Sequence, residues 1–140
     1  MHIDHIAIAV KSIEAATARF AELFGYSPRT AVVTNTRQQV NVRFLAKAGS
    51  LDVKLIEPCG AESPLWTFLR RGEGLHHVCF KVPDVPTACA TLAEQGARVL
   101  SLPEPGEAFD DHLIAFCYAG MGLNIELIDT EARRATLEPS

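Results

Sequence analysis

The chain has 140 residues, of which 48% are hydrophobic, and this is enough for one domain with its own core. Its formal net charge of -4 disfavours a nucleic-acid partner, and no apolar run approaches the roughly 20 residues of a membrane helix. The four cysteines form no Cys-x-x-Cys pair and no signal peptide is recognisable, so we expect free thiols in the reducing cytoplasm and no membrane partner.

The first part of the chain predicts a strand, a helix and three further strands. From His5 to Val10 the residues alternate, which places His5 and two alanines on one face of the strand. Ser12 is a predicted helix N-cap and Gly25 a predicted helix stop. Alternation and turn residues then predict strands at 30–34, 38–46 and 51–57.

The rest of the chain repeats this order after a linker at 58–74. In the linker, Ser63 as cap and Pro64 at the first helical position predict a short helix. A strand from Leu75 and a helix between Asp84 and Gly96 follow. The remaining expectations are strands at 97–102, 113–118 and 123–129, a proline-containing loop at 103–111, and a frayed polar tail at 130–140.

An internal repeat relates the two parts at an offset of 72 residues. This offset places His5 on His77 and carries the apolar pattern of 51–57 onto 123–129. Since the spacing holds at both ends of the unit, chance is a poor explanation. We interpret residues 1–140 as a single domain made of a first module, 3–57, and a second module, 75–129.

Equivalent residues of the two modules identify a candidate site. His5 and His77 each face away from the helix of their module, and Lys54 and Glu126 are each central in the last strand. Two imidazoles and a carboxylate suit a divalent metal ion, and they equally suit general acid–base chemistry. We expect ordinary core or surface roles for the other histidines, His2, His76 and His112.

Particular motifs carry a family resemblance. Three of them are Asp4-His5-Ile6-Ala7-Ile8-Ala9-Val10, Gly74-Leu75-His76-His77-Val78 and Asn124-Ile125-Glu126-Leu127. With the repeat, they resemble the vicinal oxygen chelate superfamily, which includes glyoxalase I, extradiol dioxygenases and bleomycin-resistance proteins. Four further motifs are most similar to methylmalonyl-CoA epimerases: Ile56-Glu57-Pro58, Glu62-Ser63-Pro64, Phe68-Leu69 and Gly72-Glu73-Gly74-Leu75-His76-His77.

The resemblance covers about residues 3–129 and implies an α+β fold. Two βαβββ modules would form a half-open curved sheet with the helices outside, in a homodimer. The resemblance also implies a divalent metal ion, such as cobalt, zinc, nickel or manganese, and no organic cofactor. The implied ligand positions hold His5, Lys54, His77 and Glu126.

Lys54 departs from this ligand set because an ammonium group has no lone pair to give a metal. We expect Lys54 to neutralise Glu126 in a pocket poor in metal. The alternative is a Lys54 side chain turned to solvent, with water at the fourth ligand position.

The leading functional hypothesis is an isomerase- or lyase-type enzyme acting on a small carbonyl compound or acyl-CoA thioester. It would abstract a proton and stabilise an enolate, with Glu126 as base, His5 and His77 as ligands or proton-transfer partners, and Lys54 as electrostatic stabiliser. A second acid–base glutamate of the relatives aligns near 41–43, where this chain has no carboxylate. Further substrate contacts are expected from Arg43, Asn41, Cys79 and Asn124.

Two alternatives stay open at this point. The hollow between the modules could hold an aromatic or amphipathic ligand without altering it, as in metal-free, antibiotic-sequestering proteins of the bleomycin-resistance kind. Alternatively, Lys54 and Glu126 could catalyse proton transfer without any metal ion.

Overall fold

The computed structural model describes residues 1–138, which form one curved sheet covered by helices. The strands are β1 His2–Ala9, β2 Ser27–Pro28, β3 Val33–Asn35, β4 Val40–Ala46, β5 Asp52–Pro58, β6 Gly74–Lys81, β7 Arg98–Gly106, β8 His112–Tyr118 and β9 Asn124–Ile128. The helices are α1 Ile13–Phe24, α2 Leu65–Leu69 and α3 Val85–Glu94. In this part of the chain, no helix combines the length and apolar content needed to cross a membrane.

The sheet joins the two modules through their first strands. Its order is β2-β4-β5-β1-β6-β9-β8-β7, with β3 paired to β4. Each module pairs its first and last strands in parallel, β1 with β5 and β6 with β9, while β1 and β6 are antiparallel. The predicted α+β fold with two βαβββ modules is confirmed, although the second strand of the first module is split into the short pieces β2 and β3.

Each long helix packs on one face of the sheet and leaves the other face free for the site. Ile13 of α1 packs with Val53 and Leu55, and Val85 of α3 packs with Leu127. The opposite face carries a separate apolar cluster that includes the two buried rings Phe44 and Phe109.

The helix starts repeat between the modules. The Ser12 hydroxyl accepts a hydrogen bond from the Ala15 backbone N–H, and Asp84 accepts one from Thr87, so these two N-caps agree with the sequence. In the short helix α2 the predicted Ser63 cap is wrong, because Pro64 holds the N-cap position and no side chain among the described residues caps the helix. The last strands add a second contact. Glu57 accepts a hydrogen bond from the Ile13 N–H at 2.7 Å, and Asp129 accepts one from the Val85 N–H at 3.0 Å. A carboxylate at this position favours the positive end of the helix dipole.

Two predicted segments of the sheet differ from the structure. The predicted strand at 30–34 is replaced by two short strands, β2 at 27–28 and β3 at 33–35, so only 33–34 of the predicted range is strand. The predicted loop at 103–111 is wrong because β7 continues to Gly106 and a 3-10 turn follows at Glu107–Phe109. Prolines are tolerated in β7 because it is the edge strand of the sheet and pairs only with β8.

The C-terminal segment is docked rather than frayed. Arg133 is buried, and Thr136 forms an isolated bridge with Thr30. The Leu137 N–H donates to the Arg29 carbonyl. The Arg133 guanidinium donates to Asp4 of β1, which fixes this part of the segment on the sheet. The last part of the predicted tail, 139–140, lies outside the described residues.

Candidate functional site

Strand register places the four predicted site residues in two neighbouring rows. Ala7 of β1 pairs with Lys54 on one side and with His77 on the other. Cys79 of β6 pairs with His5 on one side and with Glu126 on the other. Because side chains in a row point to the same face, the repeat brings these groups to one centre.

Glu126 is the centre of a buried polar cluster. The Lys54 ammonium donates to both of its carboxylate oxygens, at 3.1 and 3.2 Å. The Nε2 atoms of His5 and His77 lie 3.2 and 3.3 Å from Oε1 of the same carboxylate. All four side chains are buried, with exposures of 0–2%. The structure therefore brings together every member of the predicted cluster.

The charges of this cluster compensate one another. Burial alone would raise the pKa of Glu126, but the Lys54 ammonium and the hydrogen bonds from His5 and His77 hold that pKa well below its usual range. Glu126 is therefore ionised at neutral pH. A buried carboxylate is stable in this state only while its cation stays in place.

A β-bulge brings a third histidine to the site. Ala7 pairs with His77 but Ile8 pairs with Leu75, so His76 has no partner of its own in β1. The Nδ1 atoms of His76 and His77 lie 2.8 Å apart.

Burial lowers the pKa of His76 to about 4, with a contribution from Lys54, and lowers that of His77 to about 3. Both rings are uncharged at neutral pH. The structure thus places His76 at the cavity beside His77, a position that simple alternation could not show because of the bulge.

A second layer of charge supports His5. Asp4 accepts hydrogen bonds from His5 Nδ1 at 2.7 Å and from Arg133 at 2.5 Å. The Arg133 guanidinium lies over the rings of Phe44 and Phe109, at 4.5 and 5.0 Å. Burial would raise the pKa of Asp4, but the hydrogen bond from His5 and the positive charge of Arg133 lower it overall. The sequence did not indicate Arg133 as a site residue, because it lies in a polar segment after the second module and no pattern there predicted its burial.

A cavity of about 440 Å³ opens above the cluster. It is lined by Gln38, Val40, Lys54, Ile56, Pro64, Leu65, His76, His77, Leu100, Ser101, Glu104, Phe116 and Asn124. Lys54 and His77 face it, whereas Glu126 and His5 lie beneath them and do not line it. A ligand in the cavity would therefore meet the ammonium and the imidazoles before the carboxylate.

The four expected substrate contacts divide between cavity and scaffold. Asn124 lines the cavity. Arg43 and Asn41 do not, because β4 turns its alternate residues, including Val40, toward this face. Arg43 instead donates to the Thr30 carbonyl, and Asn41 donates to Glu57. Cys79 is fully buried below the cavity, beside Glu126.

The donor atoms fit a metal ion only in part. His5, His77 and Glu126 can each offer one atom, and these atoms lie within 4.8 Å of one another. The group at the implied fourth position is the Lys54 ammonium, which has no lone pair and already bonds both oxygens of Glu126. A divalent cation would also meet its positive charge at short range. The four residues therefore do not fit a divalent ion as they stand.

Comparison with known proteins agrees with this architecture. The family model of the Glyoxalase/Bleomycin resistance protein/Dioxygenase superfamily matches residues 4–116. The ethylmalonyl-CoA/methylmalonyl-CoA epimerase of Cereibacter sphaeroides is 35% identical over 105 residues, which are 74% of this chain and 77% of that protein.

Solved structures give the same picture. The methylmalonyl-CoA epimerase of Mycobacterium tuberculosis superposes with a TM-score of 0.81 at 27% identity, covering 91% of this chain and 87% of that one. The Streptomyces coelicolor methylmalonyl-CoA epimerase in complex with 2-nitronate-propionyl-CoA also gives a TM-score of 0.81, at 28% identity, covering 94% of this chain and 99% of that one.

Proposed function

The chain belongs to the glyoxalase/bleomycin resistance protein/dioxygenase superfamily, and we propose that it is an enzyme that moves the proton on the carbon next to an acyl-CoA thioester carbonyl. Similarity to epimerases of such thioesters supports the substrate class. The observation that carries the proposal is the Lys54 ammonium, which is fixed on Glu126 and faces the cavity beside uncharged imidazoles.

Lys54 is the proposed stabiliser of the enolate. An ammonium group has three N–H donors, and Glu126 takes two of them. The third is free to donate to a thioester oxygen that becomes negative when the α-proton leaves. A donor that is held in place before the reaction needs no reorganisation in the transition state.

The proposed proton acceptor is the pair of imidazoles, His76 and His77. Both line the cavity, both are uncharged, and they are hydrogen-bonded to each other. The α-proton passes to an imidazole nitrogen, the C–H electron pair forms the new double bond between the α-carbon and the carbonyl carbon, and the carbonyl π pair moves onto the oxygen. Glu126 lies behind His77 and would stabilise the imidazolium so formed. Glu126 thus supports the base instead of contacting the substrate.

Solvent-deuterium exchange at the α-carbon tests the proposal. Proton NMR in D2O would follow a panel of 2-methylacyl- and malonyl-type CoA thioesters with the wild-type protein. We expect exchange with at least one of them, and at least a thousandfold loss in Lys54→Met because the enolate loses its cation. Lys11→Met, which removes an exposed lysine, is the matched control. Absence of exchange across the panel would contradict the proposal.

We further propose that Lys54 replaces the divalent ion implied by the family. Protein purified without an affinity tag should then lack stoichiometric cobalt, zinc, nickel or manganese, and exchange should survive a chelator. Lys54→Gln supplies an oxygen ligand to His5, His77 and Glu126 and should bind Co²⁺, measured by its visible absorption. One equivalent of metal in the wild-type protein would overturn this part.

One observation favours a second candidate function, a metal-free binding protein that sequesters its ligand. Much of the cavity wall is apolar, with Val40, Leu65, Leu100 and Phe116 among its residues. Such a wall suits an aromatic or amphipathic ligand. Tight binding of a bulky ligand without any exchange would favour this alternative.

The expected homodimer and cytoplasmic location stay predictions. Sedimentation equilibrium would check the first, and localisation of a tagged copy in cells would check the second.

A further inference from the structure

Two charged side chains line the cavity, and one of them has no use in the proposed proton transfer. Lys54 is neutralised by Glu126 beneath it. Glu104 of β7 has no ion-pair partner within 4 Å among residues 1–138. Because Glu126 balances the charge of Lys54, Glu104 is the one unbalanced charged side chain among the described residues that line the cavity.

A buried hydroxyl on the same strand has an unused hydrogen-bonding capacity. The Ser101 Oγ atom is shielded from solvent, lines the cavity, and has no partner in the described part of the chain. Ser101 pairs with Phe116, and Phe116 pairs with Glu126, so Ser101 lies two strands away from the polar cluster. That separation is about 10 Å, so one acyl group can reach both walls.

The number of free N–H donors on Lys54 limits how many substrate oxygens the polar cluster around Glu126 can bind. Two of the three N–H groups of Lys54 are bonded to Glu126, so Lys54 has one free donor, which suits a single thioester oxygen. A malonyl-type acyl group adds a carboxylate on the reacting carbon, and proteins usually meet such a group with arginine or an unpaired lysine. Within residues 1–138, no arginine and no second lysine lines this cavity.

From these contacts, and resting on the proposed thioester chemistry, we infer that the substrate is a 2-branched acyl thioester without a second carboxylate, whose acyl chain presents a hydroxyl to Glu104 and Ser101. A hydroxyl can donate to the carboxylate and accept from the serine, so both unpaired groups gain a partner. A carboxylate at the same place would face the like charge of Glu104.

The test compares three CoA thioesters with the wild-type protein: methylmalonyl-CoA, 2-methylbutanoyl-CoA and 2-methyl-3-hydroxybutanoyl-CoA. We expect kcat/KM for α-deuterium exchange to be highest for the hydroxyacyl compound and at least tenfold lower for methylmalonyl-CoA. Equal or faster exchange of methylmalonyl-CoA would overturn the inference and leave the proposed function standing. Exchange of none of the three would remove both.

A variant separates the effect of Glu104 from the intrinsic acidity of each compound. In Glu104→Gln, the ratio of kcat/KM for methylmalonyl-CoA over the hydroxyacyl compound should rise at least tenfold because the like charge is gone. Glu94→Gln, an equal change of charge at an exposed site, should leave the ratio as it is. Ser101→Ala gives a second readout, since it should raise KM for the hydroxyacyl compound alone. Unchanged ratios in both site variants would contradict the inference.

Discussion

The two modules place side chains of opposite charge on one repeated framework. Lys54 and Glu126 occupy equivalent positions, and they meet at 3.1 Å between Nζ and Oε2. By contrast, Glu57 and Asp129 keep one role in both modules, because each accepts the first N–H of the helix in its own module. The scaffold has thus stayed symmetric where it holds a helix, whereas the central pair has become complementary. A change in one module is therefore felt by its counterpart in the other.

The supports of the two central histidines differ as well. In the first module, His5 is held by Asp4 and, through it, by Arg133 from the docked C-terminal segment. In the second module, His77 is held by His76, which the bulge turns toward the same cavity. The first module thus relies on charge and the second on an uncharged ring, so the two halves should respond differently to mutation and to pH.

Breaking the charge complementarity should have the largest effect. Lys54→Met leaves Glu126 buried without its cation, and we expect the free energy of unfolding to fall by about 3–5 kcal/mol. Urea denaturation followed by circular dichroism measures this change. The exposed substitution Lys11→Met should stay within about 0.5 kcal/mol of wild type.

Removing the charges of Lys54 and Glu126 together tests whether the two residues are energetically coupled. The double variant Lys54→Met/Glu126→Leu replaces the ion pair by apolar groups of similar size, so it should recover most of the stability lost in the single variant. A double variant as unstable as the sum of its parts would show that the pair is uncoupled.

The second module should make the protein sensitive to acid. The pKa of His77 is about 3 in the folded protein, against an ordinary value of 6.5 in the unfolded chain, so between these values the unfolded chain binds more protons. Stability therefore falls as the pH drops below 6.5, by up to about 1.4 kcal/mol per pH unit for this group. Below pH 4.5, protonation of unfolded Glu126 adds to the loss, because its folded pKa lies well below that value.

Urea denaturation at a series of pH values from 7 to 4 measures this dependence. His77→Asn should flatten it because the buried neutral ring is gone. His2→Asn, which changes an exposed histidine, should give the same dependence on pH as the wild-type protein. A His77→Asn curve as steep as wild type would assign the acid sensitivity to other groups.

The first module should depend on the C-terminal segment. Arg133→Met removes a charged donor from Asp4 but keeps an apolar chain over the rings of Phe44 and Phe109, so we expect a loss of about 2 kcal/mol. In ¹⁵N NMR, the ring signals of His5 should change while those of His77 stay in place. The neighbouring Arg134 pairs only with exposed carboxylates, and Arg134→Met should cost less than about 1 kcal/mol. Equal losses in the two variants would contradict a specific support of His5.

The features of the fold and site that could be predicted from the sequence are those that the repeat and the local residue patterns encode. The convergence of His5, Lys54, His77 and Glu126 follows from an offset, and the two N-caps follow from residue type. The bulge at His76 and the burial of Arg133 depend on contacts between distant segments, which no periodicity records. The cavity wall on β7 was missed for a related reason, since Pro103 and Pro105 indicate a loop unless the strand is known to be at an edge.

The smallest expected effect concerns the symmetric part of the scaffold. Glu57→Gln and Asp129→Asn keep an acceptor oxygen near the helix N-terminus and remove its charge, so each should cost about 0.5–1 kcal/mol in urea denaturation. Glu57 also accepts a hydrogen bond from Asn41, at 2.9 Å, which places its loss at the upper end of this range. Glu62→Gln, at an exposed position, is the matched control. If the two losses differ by more than about 1 kcal/mol, the modules hold their helices by different means, and the framework is less symmetric than its hydrogen bonds indicate.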